Sequence, residues 1–210
     1  MRIAREGYPL IFTAALLSLL AFAAGWLPLG SILAFVTLAI TAFFRDPERH
    51  PPEGEGLIIA PADGKVVNVA NVRKDESRFS GAAVRVSIFL SPLDVHINRS
   101  PVEGKVEEVR YQRGKFLAAY KDQSSAGNEQ NSLSIVEPNG RRVGVVQVAG
   151  VVARRIVCRV KQGDHLPRGA RIGLIMFGSR TDTYLPEGCR VDVVEGQRVK
   201  GGETILGRFV

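Results

Sequence analysis

Cysteine and histidine are scarce in this chain of 210 residues, which holds two of the first and three of the second. Cys158 and Cys189 are too few for a disulfide framework, and without a Cys-x-x-Cys spacing they suit neither a zinc site nor a redox pair. They are expected as reduced, half-buried thiols in strands, which agrees with a cytosolic setting. His50, His96 and His165 stand apart, and no His-Glu-x-x-His or comparable ligand set accompanies them, so a zinc peptidase is disfavoured and no metal is expected. Acids are also missing where bases abound. From Arg141 to Arg180 nine Lys or Arg face the single acid Asp164, within a chain of net charge +7. No aromatic interleaving, zinc finger or helix-turn-helix pattern comes with this basic stretch, so nucleic acid is not expected as a partner. Anionic lipid is the simpler one, since basic residues near a membrane surface are each drawn to it by about 1 kcal/mol.

The third absence is charge of either sign. No Asp, Glu, Lys or Arg occurs from Tyr8 to Phe44, whereas everything after Arg45 is an ordinary soluble mixture. Gly25-Trp26-Leu27-Pro28-Leu29-Gly30 divides the stretch, because Gly and Pro punctuate helices and Trp favours the membrane interface. The arms, Leu10 to Ala24 and Ser31 to Phe44, would each reach about 20 Å as helices, short of a hydrocarbon core of roughly 30 Å. A membrane-anchoring helical hairpin over residues 1–44 is therefore expected, spanning or re-entrant. Arg2 and Arg5 before it, with Arg45 and Arg49 after it, place both ends on the cytoplasmic face. A signal peptide would share the charged head, but the second apolar arm and the lack of a small-x-small cleavage site argue against one. Residues 45–56 read as a linker.

From residue 57 to 210 the pattern is short strands between glycine turns: 65–72, 83–90, 104–112, 132–137, 142–152, 156–161, 171–176 and 189–194, with a helix or irregular lid over 115–131. Two motifs recur. Pro61-Ala62-Asp63-Gly64-Lys65-Val66 is echoed by Pro101-Val102-Glu103-Gly104-Lys105-Val106, and Gly163-x-x-Leu166-x-x-Gly169 by Gly196-x-x-Val199-x-x-Gly202. The later pair resembles the turns of biotinyl and lipoyl carrier domains. The expected fold class is mainly β, a compact β-sandwich or barrel of two related halves carrying the N-terminal hairpin.

Chemistry concentrates at Gly178-Ser179, in the run GLIMFGSRTDTYLP at 173–186. Here a serine hydroxyl could add to its own preceding carbonyl, and glycine places no side chain in the way. A serine alcohol needs an adjacent base, and that base an orienting group. His96, in a loop between Pro92 and Pro101, is the best candidate base; a structural histidine is the other reading. Asp63 could orient the imidazole or could be a turn aspartate, and Asp94, two residues before His96, offers a second carboxylate with the same two readings.

FFRDPER at 43–49, PADGKV at 61–66, FLSPLDVHINRSP at 89–101, GKFLAAYKDQSSAGNEQN at 114–131 and GLIMFGSRTDTYLP at 173–186 resemble, in order, the signatures of the short-form phosphatidylserine decarboxylase proenzymes. The resemblance implies an enzyme that cuts itself between Gly178 and Ser179, leaving a large subunit 1–178 and a small subunit 179–210. Ser179 would become a covalent pyruvoyl group, serving in place of pyridoxal phosphate. It would form a Schiff base with phosphatidylserine or a related serine phospholipid, diacyl or archaeal ether, and release carbon dioxide and phosphatidylethanolamine. Asp63, His96 and Ser179 fall on the family's self-processing triad and Asp94 on an accompanying acidic position. The long-form enzymes carry Leu-Gly-Ser-Thr where this chain has Phe177-Gly178-Ser179-Arg180, and a second histidine where it has Arg99. The implied setting is the cell membrane with the soluble domain on its cytoplasmic face; a homodimer is admitted without being required. The alternative is a membrane-tethered, non-enzymatic β-domain of carrier type.

Overall fold

The computed structural model describes residues 2–72, 79, 81–114, 127–150, 155–176 and 179–210. The chain forms two compact units, Met1–Glu48 and Arg49–Val210.

The first unit is a helical hairpin, α1 (Tyr8–Ala23) and α2 (Leu27–Phe43), closed at its base by β1 (Arg2–Ile3) paired antiparallel with β2 (Arg45–Asp46). Both ends of the hairpin thus lie together. The break between the helices is shorter than the expected Gly25 to Gly30, because Pro28 sits in the first turn of α2, where its missing N–H is no loss. Gly25, with φ of 79°, makes the reversal. The helices meet over small residues: Ala14, Ser18 and Ala21 of α1 and Gly30 of α2 are buried, and the Ser18 hydroxyl donates to the Gly30 carbonyl at 2.8 Å. Large apolar side chains point outward instead, among them Phe12, Leu19, Phe35 and Leu38. The segment Arg5–Ala23 is long and apolar enough to cross a membrane, while Leu27–Phe43 is shorter.

The second unit is mainly β, as expected. Its strands are β3 (Leu57–Ile59), β4 (Gly64–Asn71), β5 (Ala82–Leu90), β6 (Ile97–Arg99), β7 (Gly104–Gln112), β8 (Gln130–Val136), β9 (Arg142–Val148), β10 (Ile156–Cys158), β11 (His165–Leu166), β12 (Arg171–Ile175), β13 (Ser179–Pro186), β14 (Cys189–Val191), β15 (Arg198–Val199) and β16 (Ile205–Phe209). An antiparallel eight-stranded sheet runs in the order β11-β7-β8-β9-β13-β5-β4-β15, and two three-stranded sheets, β10-β12-β6 and β14-β16-β3, accompany it. Of the lid expected over 115–131, residues 115–126 lie outside the described residues, and Gln130 and Asn131 already belong to β8. The two cysteines are free and half-buried, in β10 and β14. Burial pushes the Cys189 thiol up to about 11, so it stays protonated.

One face of the large sheet carries the main core, with Val86, Ile88, Leu90, Leu133, Ile135, Val143 and Val145 all wholly buried. The recurring motifs occupy matching places. Gly64 and Gly104 each open a strand, β15 pairs Val199 with Gly64, and β11 pairs Leu166 with Gly104. At both glycines a Cβ would run into the carbonyl of the neighbouring strand, that of Phe89 or of Val136. Gly64 has φ of 150° besides. Gly64→Ala should therefore cost about 3 kcal/mol in strain and clash and lower the melting temperature by roughly 6–12 °C, read by thermal denaturation of the full chain in detergent.

Candidate active site

Strand β13 lies between β9 and β5, and every residue from Ser179 to Leu185 is buried. A strand covered on both faces is expected to be apolar throughout, yet this one reads Ser-Arg-Thr-Asp-Thr before its Tyr and Leu. Such a departure from the core pattern marks a place where function competes with packing. Ser179 pairs with Leu90, the last residue of β5.

Beyond these two residues the ladder crosses to the small sheet. Leu90 leads through residues 91–96 into β6, and β12 leads through 176–178 into Ser179; β6 and β12 then pair, with Leu174 opposite Ile97 and the Ile175 amide donating to the His96 carbonyl at 3.4 Å. Between the Ser179–Leu90 and Leu174–Ile97 pairs, residues 91–96 number six on one side against four, 175–178, on the other. The longer side must bulge, and it carries Asp94 and His96. Gly178 itself lies outside the described residues. Ser179, the base candidate and one carboxylate are brought to a single crossing between sheets.

The Ser179 hydroxyl is buried without a hydrogen-bond partner among the described residues. Leaving such a group unsatisfied costs about 1–3 kcal/mol, and the hydroxyls of Ser87 and Thr183 on the same pair of strands share that condition. His96 is 1% exposed. Its Nδ1 lies 2.9 Å from the Asp94 carbonyl oxygen. A carbonyl can only accept, so Nδ1 carries the proton, and when the ring is neutral its lone pair is at Nε2. His50 and His165 are exposed, as expected.

Asp94 is committed elsewhere through its side chain. The Ser91 amide and hydroxyl donate to its Oδ2 at 2.8 and 2.7 Å, and Arg198 donates to Oδ1 at 3.0 Å. Burial acts to raise its pKa, but the Ser91 donors and Arg198 outweigh it and hold the carboxyl below its ordinary value. Asp63 accepts from the Gly201 amide at 2.8 Å and from Arg49 at 2.7 Å, and Arg49 reaches Glu203 at 3.3 Å with its other nitrogen. Here burial wins: the carboxyl sits above its ordinary value despite Arg49 and Gly201, and Asp94 adds a smaller push in the same direction. Asp63 does not hydrogen-bond to His96; the ring is oriented by the Asp94 main chain.

Sequence reading missed Arg49 and Gly201 as the partners of Asp63. It also missed a chain of buried amides beside Ser179. Asn131 donates to Gln147 at 3.0 Å, Gln147 to Asn98 at 2.8 Å, and Asn98 to the Thr181 hydroxyl at 3.3 Å. Thr181 shares the core face of β13 with Ser179. On the opposite face Arg180 and Asp182 form a buried ion pair, with Nη2 3.0 Å from Oδ2. An open cleft of about 920 Å³ lined by Lys105, Val136, His165 and Leu166 contains none of the candidate residues and lies apart from this chemistry.

The family model described as phosphatidylserine decarboxylase matches residues 36–207. The chain belongs to the phosphatidylserine decarboxylase family. A phosphatidylserine decarboxylase proenzyme of Symbiobacterium thermophilum is 50% identical over 208 residues, covering 99% of this chain and 95% of the relative. The one of Gluconobacter oxydans is 47% identical over 211 residues, covering 98% and 93%, and that of Granulibacter bethesdensis 52% over 172 residues, covering 81% and 70%. The chain is thus a decarboxylase of the proenzyme type, a lyase of phospholipid biosynthesis, and the carrier-domain alternative falls away.

Arg49 opposes the burial that raises Asp63. Arg49→Gln in this decarboxylase should therefore move the Asp63 carboxyl further up, a shift readable by carbon-13 NMR titration of labelled aspartate, whereas Arg49→Lys should leave most of the balance in place.

Proposed function

We propose that the chain is a self-processing, pyruvoyl-dependent decarboxylase of phosphatidylserine or a closely related serine phospholipid. The observation that carries this reading is the buried hydroxyl of Ser179, unpartnered among the described residues, at the head of a central strand, directly after Gly178 in the sequence and beside the loop that holds His96. The proenzyme names of the relatives support it.

The first reaction consumes the chain itself. His96 Nε2 takes the Ser179 proton as the oxygen adds to the Gly178 carbonyl, and collapse of the adduct breaks the amide and leaves an ester, with Ser179 now carrying a free amine. Removal of the Ser179 α-proton then expels the Gly178 carboxylate, and water replaces the resulting enamine nitrogen, which departs as ammonia. Asp94 keeps the imidazole in the required tautomer through its main chain, while Asp63 offers negative charge to the imidazolium that forms. Burial of Ser179 opposite the wholly buried Leu90 excludes water that would otherwise hydrolyse the ester.

The buried unsatisfied hydroxyl and the absence of a bulky side chain at 178 fit a pyruvoyl group at position 179. That group, once made, supplies a ketone that condenses with the headgroup amine and draws electrons from the α-carbon as carbon dioxide leaves. His96, freed from processing, would return a proton to that carbon. The hairpin 1–44, with its outward apolar side chains and flanking arginines, anchors the catalytic unit to a membrane on the cytoplasmic side, so that substrate is sought across a surface rather than through solution.

Ser179→Ala should leave one band near 22.8 kDa on a denaturing gel and abolish release of carbon dioxide, where the wild type separates into residues 1–178 and a 32-residue piece, 179–210. Equal migration of the two would sink the proposal. His96→Ala should slow cutting by at least 100-fold, the scale of a lost general base; a variant that matures at the normal rate would remove His96 from the reaction.

A further inference from the structure

The loop that carries His96 begins with a tightly built turn whose tip is apolar. The Asp94 amide donates to the Ser91 carbonyl at 2.9 Å, the Ser91 amide and hydroxyl donate back to the Asp94 carboxylate, and Arg198 clamps that carboxylate from β15. Pro92 narrows the backbone further. What this scaffold holds out is Leu93, 84% exposed and more so than any apolar side chain of the hairpin. A floppy loop could fold such a residue away; a turn closed on both sides cannot.

Cations stand at the base of the turn. Arg198, its side chain 72% exposed, is directly opposite the exposed Lys65, and Lys65 is opposite the half-buried Phe89, so the three share one face of the sheet beside the turn. Exposed Lys200 follows two residues after Arg198. An apolar tip with Arg198 and its cross-strand neighbour Lys65 at one side matches a bilayer interface, where the aliphatic group enters the acyl boundary and the cations meet phosphate and carboxylate.

We propose that the Pro92–Leu93 tip, with Lys65 and Arg198 at its base, is a second membrane contact that docks the catalytic unit on a bilayer containing anionic lipid. The inference rests on the reading of this chain as a lipid decarboxylase. Its geometry gives the contact a purpose. His96 lies three positions beyond Leu93, a span of at most about 11 Å. The polar region of each leaflet is roughly 5–8 Å deep. A tip seated at the acyl boundary therefore holds His96 at the depth of the headgroups, and the lipid need not leave the membrane to react.

The test uses the full chain reconstituted into phosphatidylcholine vesicles with or without phosphatidylglycerol. Leu93→Trp is made in a Trp26→Phe background, and Tyr111→Trp, at an exposed position of β7, serves as reference. Lipids brominated high in the acyl chain should quench residue 93 at least threefold more than residue 111, and more strongly when phosphatidylglycerol is present; equal quenching at both positions overturns the proposal. A second measurement needs no variant. Amide exchange of wild-type residues 91–94 should slow at least threefold on adding phosphatidylglycerol to the vesicles, and an unchanged rate overturns docking as well. A denaturing gel of the same samples keeps the two readings apart. Quenching in an uncut chain would end self-processing while sparing the docking tip, and two fragments without quenching would do the reverse.

Discussion

The antiparallel pairing of β5 with β13 is the constraint on which the site depends. It sets Ser179 opposite Leu90, and so fixes where the chain must leave the large sheet on both sides of the ladder. Because six residues then face four, the surplus becomes a bulging loop, and the candidate base His96 lies on it. A slip of one residue would turn Ser179 to the outer face and Arg180 into the core. Two groups of polar residues guard against that slip. Thr181 meets Asn98 on one face, and Arg180 pairs with Asp182 on the other.

These buried polar groups are costly in isolation and useful together. The amides of Asn131, Gln147 and Asn98 hand hydrogen bonds on in one direction to Thr181, so Gln147 and Asn98 each spend donor and acceptor on a neighbour. The Arg180–Asp182 pair adds little net stability once desolvation is counted, but it is intolerant of misregister. Among the described residues the Ser179 hydroxyl is one of several buried polar groups near this strand whose needs the fold does not meet, with Ser87, Gln130 and Thr183, and it is the one that directly follows a glycine carbonyl at the head of β13. The neighbouring acids divide the labour: Asp94 shapes the loop and orients the ring through its carbonyl, while Asp63 is tied to Arg49 and Gly201.

Much of the architecture could be read in advance because it follows from simple regularities. The hairpin announces itself by 37 consecutive uncharged residues, 8–44, and β4, β5, β7 and β9 by alternation and β-branched content. What escaped is what periodicity cannot carry. β6, β11 and β15 have two or three residues each, too few to show a period. The partners of Asp63 lie 14 and 138 residues away, so only the tertiary fold makes them neighbours. Pro28 misled as a break because proline's effect depends on its place in the first helical turn. His96, by contrast, was singled out because histidines are so few, and its choice of tautomer became clear only from the carbonyl beside it.

The residues that follow Ser179 are woven through the catalytic unit rather than appended to it. β13 is hydrogen-bonded on both edges by strands from earlier in the chain, β15 lies on β4, and β16 on β3. Severing the backbone ahead of Ser179 would therefore release nothing: the C-terminal peptide could dissociate only if the whole β core melted. Maturation of this kind changes the covalent connectivity while preserving one cooperative folding domain, now composed of two chains, and the separated peptides would have to refold together to recover it.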